Sequence, residues 1–131
     1  MESQWAMLEH TGQKPRSEKD HLIVVMTRHP STYKDKEVKG RLEFSDESPV
    51  QLAARFEKAN FERMVVAGGA QIATSFLKAG LIDEIWLTIE PRIFGKGGSF
   101  VIEQELDLEL RLLSCEQVNP EGTLITKYKV L

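Results

Sequence analysis

Residues 64–97, MVVAGGAQIATSFLKAGLIDEIWLTIEPRIFGKG, constrain the fold of this chain more than any other stretch. A short apolar run over 64–67 breaks at Gly68-Gly69 and passes directly into a helical pattern, 70–79, with Ile72, Ala73, Phe76 and Leu77 on one face. Gly80 fits the left-handed position after that helix, and a second apolar run, 85–89, lies within a strand over 83–90 that is stopped by Pro91. Strand, double glycine, helix, strand is the order in which α/β proteins bring backbone N–H groups up to a phosphate. Glycine lets a ligand approach the backbone and adopts dihedrals closed to other residues. The following helix aims its unpaired N–H groups and positive dipole end at the same point. A strand-to-helix turn also needs glycine for steric reasons alone, so an anion site and a bare turn both fit these residues.

The flanking sequence extends the same alternation. Residues 22–27, LIVVMT, are almost wholly apolar and β-branched, the mark of a strand covered on both faces, and they end at Arg28-His29-Pro30. Residues 31–41 read as polar and irregular, 42–44 as a short strand, and Ser45 or Asp46 as the cap of a helix over 49–59. Pro49 suits the first turn of that helix, and Leu52, Ala53, Phe56 and Ala59 recur at helical spacing. Leu108, Leu110 and Leu112 alternate, and beyond Asn119-Pro120-Glu121-Gly122 the run 123–130 alternates too, as in an antiparallel hairpin. Near the N-terminus, Trp5 and Leu8 read as the end of a helix closed by Gly12, with a polar loop over 11–20. Strands alternating with helices, then a terminal hairpin, imply an α/β fold with a mixed sheet and helices on both faces.

A length of 131 residues fits one domain with a real core. The net charge of −3 gives no electrostatic ground for nucleic-acid binding. Lys14, Arg16 and Lys19 are interleaved with Glu18 and Asp20 and read as a solvated loop. No stretch approaches the length of a membrane span, and the first ten residues lack the basic flank and apolar core of a signal peptide. Cys115 is the only cysteine, so no intrachain disulfide can form and a reducing cytoplasm is the expected location. Lying in an alternating apolar stretch, it is expected to be buried and inert.

Two predicted strands end in groups suited to phosphate: Thr27-Arg28 after the first and Gly68-Gly69 after the second. If the strands are parallel, both pairs lie at the carboxyl edge of the sheet, where open α/β sheets bind ligands. Arg28 would pair bidentately with a phosphate monoester and the glycine turn would hold a pyrophosphate, a division that suits a phosphorylated dinucleotide such as NADPH. A surface arginine leaving a buried strand is the plainer alternative. The other candidates are weaker. Gly95-Lys96-Gly97-Gly98 lacks the spacing and final Lys-Ser/Thr of a P-loop. His10, His21 and His29 lack metal-ligand spacing, Asp83 and Glu84 point to opposite faces of a strand, and Ser75 sits mid-helix with no base beside it.

The run GGAQIATSFLKAGLIDEIWLTIEPRIFGKG resembles the signature of the C-terminal reductase domain of the bifunctional riboflavin-biosynthesis deaminase-reductase and its dihydrofolate-reductase-like relatives. In those proteins a double glycine leads into a helix, Gly-Leu-Ile/Val-Asp-Glu, an apolar strand, Pro and a Gly-x-Gly turn. Val24 to Arg28, VVMTR, is similar to the strand leading to their 2′-phosphate site. The resemblance covers residues 22–100 and, more loosely, the C-terminal hairpin. It implies a three-layer α/β/α fold whose mixed, mainly parallel sheet ends in an antiparallel hairpin. It also implies NADPH as cofactor, held by Thr27, Arg28, Gly68, Gly69, Ala70, Gln71 and Ile72, and hydride transfer to a pyrimidine- or pteridine-like ring.

This chain departs from the family pattern in three places. The usual opening strand and Ser-x-Asp-Gly-like loop are not matched, so residues 1–131 are expected to form a single, N-terminally shortened reductase domain, partly irregular over 1–20. Ala67 stands where the riboflavin reductases carry a substrate-facing glutamate, and Ala73 where dihydrofolate reductases carry a tyrosine. The resemblance therefore implies a cofactor half without an identifiable catalytic acid. A non-catalytic NADP-binding or oligomerising module, or a piece of a longer reductase, is the alternative. An unpaired sheet edge would favour self-association, so a homo-oligomer, in the simplest case a dimer, is expected, with a small-molecule substrate and neither nucleic acid nor membrane as partner.

Overall fold

The strand with two apolar faces organises the structure. In the computed structural model, which describes residues 4–9, 21–103 and 105–131, β2 (His21–Met26) buries both Val24 and Val25 completely. Adjacent strand residues point to opposite faces, so both sides of β2 are covered. β3 (Leu42–Ser45) pairs parallel with one edge of β2, and β1 (Gln4–Glu9) antiparallel with the other. β4 (Arg63–Val66) pairs antiparallel with the far edge of β1. β2, β3 and β4 therefore run the same way, with β1 reversed between β2 and β4, in a sheet of order β3-β2-β1-β4. The helix end expected at Trp5 and Leu8 is corrected by this arrangement: residues 4–9 are extended and paired along both edges, which overrides a helical spacing of two apolar residues. The polar loop and basic cluster expected over 11–20, with His10, lie outside the described residues.

α1 (Pro49–Lys58) and α2 (Ala70–Lys78) both contribute to one face of this sheet. Leu52 and Phe56 of α1 and Ile72 and Phe76 of α2 form a single cluster with Leu22 and Val24 of β2, flanked by Met64 and Val66 of β4. Register explains the match: Leu22 and Met64 both lie opposite Leu8, and Val24 and Val66 both lie opposite Ala6. Phe61 closes the cluster edge-on to Phe56, ring centres 5.1 Å apart. The opposite face is covered at β3 by a 3-10 helix, Pro30–Lys36, whose Tyr33 stacks on Phe44 at 5.1 Å. Part of the segment read as irregular is thus a short helix, with Pro30 in its first turn.

Ser48, rather than Ser45 or Asp46, caps α1, because the cap is the residue immediately before Pro49 at the first helical position. Its hydroxyl accepts from the Gln51 N–H, and the Gln51 side chain accepts from the Ser48 N–H. Ser45 instead donates to Glu47 Oε2 at 2.7 Å and accepts from the Glu47 N–H. Arg55 of α1 then ties the helix to β3: Nη2 donates to Glu47 Oε2 at 2.8 Å, and Nη1 to Glu43 Oε2 at 3.1 Å. The Arg55 hydrogen bonds hold the Glu47 carboxyl below the usual range of 4.5, against an opposing push from burial; Ser45 and the Arg55 charge add to the lowering. A depressed folded pKa means that the stabilisation is complete above the unfolded value and is lost as pH falls through the folded one. Glu47→Gln is therefore expected to cost about 0.5–1 kcal/mol at neutral pH, the range for a mostly exposed pair. The difference from wild type should shrink to nothing below the carboxylate range. Urea unfolding at neutral and acid pH measures it, and a difference independent of pH would refute the assignment.

A second sheet, of order β5-β7-β6, is wholly antiparallel. It comprises β5 (Glu84–Ile89), β6 (Leu110–Gln117) and β7 (Leu124–Val130), the last two being the expected C-terminal hairpin. α2 joins β4 of the first sheet to β5 of the second, and Gly80 ends that helix at φ 67°, the left-handed value its position calls for. Ile85, Leu87 and Ile89 share a face with Leu124, Thr126 and Tyr128, where Thr126 is buried. The other face is polar: Lys127 Nζ sits 4.1 Å over the Trp86 ring, and Trp86 Nε1 donates to Glu84 Oε2. A bulge between Leu112 and Ser114 shifts the β6 register by one residue. Leu110 and Leu112 fall opposite Val130 and Tyr128, and past the bulge Cys115 falls opposite Thr126, so all three share the apolar face. Cys115 is nonetheless exposed, correcting the expectation of a buried thiol, because β6 is the outer strand of its sheet.

Candidate functional site

β2 and β4 run in the same direction, so their carboxyl ends share one edge of the sheet. Val24 and Val66 lie at the same level, both opposite Ala6. Thr27-Arg28 and Gly68-Gly69 follow them by three or four and two or three residues, which sets the two pairs side by side across the single strand β1. Two strand spacings separate them, about 10 Å.

Gly68 has φ 121° and Gly69 φ 20°, both outside the range that side-chain-bearing residues favour. A Cβ at Gly68 would meet nothing within 4 Å, so the backbone needs glycine for its conformation while the space above it is open. Gly69 is the N-cap of α2 and supplies no side-chain cap, although its carbonyl accepts from Ala73 N–H at 3.0 Å. The N–H groups of Ala70 and Gln71 carry no hydrogen bond to other described residues. Two donors at the positive end of a helix thus face an open shelf, a geometry that accepts an anion. Ile72 belongs to the core through its side chain, so only its backbone belongs to this edge.

Thr27 extends the β2–β3 ladder by one bond, donating its N–H to Ser45 O at 2.8 Å. Its hydroxyl accepts from His29 N–H at 3.3 Å and so shapes the turn that presents Arg28. Arg28 is exposed, and its guanidinium makes no ion pair or hydrogen bond with the described residues. The seven residues singled out from sequence therefore lie along one edge, the glycine-turn donors about 10 Å from Arg28, a cation that pairs with none of the described residues. Ala67 and Gly69 are exposed on this edge, whereas Ala73 is buried beneath it.

Thr74 is a contributor that sequence reasoning passed over. It is buried, donates to Ala70 O at 2.7 Å and accepts from Ile102 N–H at 3.0 Å. The long loop after β5 is thereby fastened to the first turn of α2. A hydroxyl among apolar neighbours on the buried helix face, one turn past the glycines, was the available signal. The same loop holds the second glycine turn and leaves Ile93 and Phe94 in solvent. Surface depressions lie elsewhere, along α1 at Ala54 and Lys58 and beside β3 at Glu37 and Glu43. Among the described residues no His, Cys, Asp or Glu cluster could hold a metal ion. No described helix is long and apolar enough to cross a membrane.

The chain is 30% identical over 98 residues to the uncharacterized protein YwjB of Bacillus subtilis (strain 168), covering 75% of this chain and 54% of that protein. It is 21% identical over 112 residues to YyaP of the same organism, covering 84% and 60%. A crystal structure from Shewanella sp. PV-4, named provisionally as a riboflavin biosynthesis protein, superposes with a TM-score of 0.63 at 24% identity, covering 82% of this chain and 59% of that one. The chain spans between about half and three fifths of the length of these relatives. Residues 5–124 match the RibD C-terminal domain, and the chain belongs to that family, with its dihydrofolate-reductase-like α/β fold.

Proposed function

We propose that this chain is an NADPH-dependent reductase domain of the riboflavin-biosynthesis type, acting on a pyrimidine- or pteridine-like ring such as a 5-amino-6-(5-phosphoribosylamino)uracil. The observation that carries the reading is that the N-terminus of α2, which has no side-chain cap, shares one sheet edge with Arg28, which pairs with none of the described residues. The nicotinamide of a bound NADPH would supply the hydride. The Ala70 and Gln71 N–H groups would bind the pyrophosphate, and Arg28 would select the 2′-phosphorylated ribose. Thr27 would hold the turn that keeps Arg28 in place, and Thr74 would keep the post-β5 loop against the cofactor helix. Titration with NADPH and NADH, followed by thermal shift and tryptophan fluorescence, tests this. Tighter binding of NADPH is expected, and no binding of either cofactor at millimolar concentration would sink the assignment.

A second reading is favoured by Ala67. It is exposed beside the glycine turn and brings no carboxyl group to the place where the family's substrate-facing glutamate stands. On this reading the domain binds NADPH without turning over a substrate. NADPH oxidation assayed with pyrimidine and pteridine substrates separates the two: turnover excludes the binding module, and cofactor binding without turnover favours it.

A further inference from the structure

We propose that Asp46 sets the cofactor selectivity of this edge in opposition to Arg28. Its carboxylate accepts from the ribose hydroxyls of an unphosphorylated cofactor and repels a 2′-phosphate. The inference rests on the reading of this edge as an NADPH site and adds a residue which that reading leaves out. β3 pairs parallel with β2, so its carboxyl end lies on the same sheet edge as Thr27-Arg28 and the glycine turn. Met26 is level with Ser45, and the Thr27 N–H donates to Ser45 O at 2.8 Å, which carries the ladder past the end of β2. Asp46 therefore comes level with Thr27, one strand spacing away (about 4.8 Å between backbones), and next to the turn that presents Arg28.

The other carboxylates around β3 are engaged. Glu37 pairs with Lys34 and accepts from the Phe44 N–H, and Glu43 and Glu47 both pair with Arg55. Asp46 is exposed and has no ion pair or hydrogen bond with the described residues. It does not pair even with Arg28, although the two opposite charges sit at neighbouring strand ends. The helix that follows has no need of it, because Ser48 and Gln51 already cap one another. The backbone on either side of Asp46 is nonetheless fixed, by the Ser45 and Glu47 hydrogen bonds and the tie from Glu47 to Arg55. In open α/β sheets an acidic residue accepts from the ribose 2′-hydroxyl of NAD, whereas an arginine accommodates the 2′-phosphate of NADP. This edge carries one of each, and the structure satisfies neither internally. The preference for NADPH is then the difference between an attraction at Arg28 and a repulsion at Asp46.

Dissociation constants of the full chain for NADPH and NADH test the proposal with Asp46→Asn and Asp46→Glu. Asp46→Asn should tighten NADPH by about three- to tenfold and loosen NADH by about threefold, so that their ratio moves by roughly tenfold or more. Asp46→Glu keeps the charge and should leave the ratio within about threefold of wild type. The gain in NADPH affinity should shrink as salt is raised, because Asp46 and Arg28 are both exposed. A carboxylate that only favours the positive end of α1 would instead change the melting temperature and move both cofactors together. With a wild type that binds NADPH, an unchanged ratio in Asp46→Asn overturns the assignment of Asp46 alone, as does an equal shift in Asp46→Glu. A wild type that binds neither cofactor at millimolar concentration removes the cofactor site and this inference together.

Discussion

Phe76→Ala is expected to lower the unfolding free energy by about 3–5 kcal/mol, the largest single-residue effect in this chain. Phe76 is fully buried and is the residue of α2 that meets Leu52 and Phe56 of α1 and Val24 of β2 in one cluster. Truncation removes the transfer energy of the ring and leaves a cavity that three rigid elements cannot close. Most single domains are stable by only about 5–15 kcal/mol, so the variant should sit near the edge of folding. Equilibrium urea unfolding measures the loss. A cost below about 1.5 kcal/mol would mean that α2 is not seated on the sheet as described.

Arg28→Ala should reduce NADPH affinity by about 10- to 100-fold while leaving NADH affinity nearly unchanged, the range for loss of a charge-assisted phosphate contact. The fold should be unaffected, because Arg28 is exposed and makes no ion pair with the described residues. The discriminating quantity is the ratio of the two dissociation constants. Equal weakening toward both cofactors would show that Arg28 acts by general electrostatic attraction, and no change toward either would remove it from the site.

The elements that sequence made legible are those whose demands are local. Gly68, Gly69 and Gly80 announce backbone conformations, and Ile72, Ala73, Phe76 and Leu77 announce a face, whatever the rest of the chain does. The apolar continuity of residues 22–27 likewise foretold that Val24 and Val25 would both be buried. β1 was illegible for the opposite reason. QWAMLE carries two apolar residues at helical spacing, and only its partners in β2 and β4 make it a strand. Cys115 misled because its exposure depends on a bulge and an open edge, neither of which is written in local alternation. At the candidate edge, the expectation that Thr27-Arg28 and Gly68-Gly69 end parallel strands agrees with the common direction of β2 and β4. The strand β1 between them, which sets their spacing, was not legible, because residues 4–9 become a strand only through pairing with both neighbours.

The position of β1 also has a kinetic consequence. Its ladder with β4 joins Ala6 to Val66, about 60 residues apart, whereas α1, β4 and α2 form an unbroken run over residues 49–78. Closing so long a loop is entropically unfavourable until other contacts reward it. The α1–β4–α2 unit with β2 can therefore collapse around Phe76 first, while the strand that fixes the spacing of Thr27-Arg28 and Gly68-Gly69 is added late. In such an order the core nucleates before the edge that carries Arg28 and the glycine turn takes its final width.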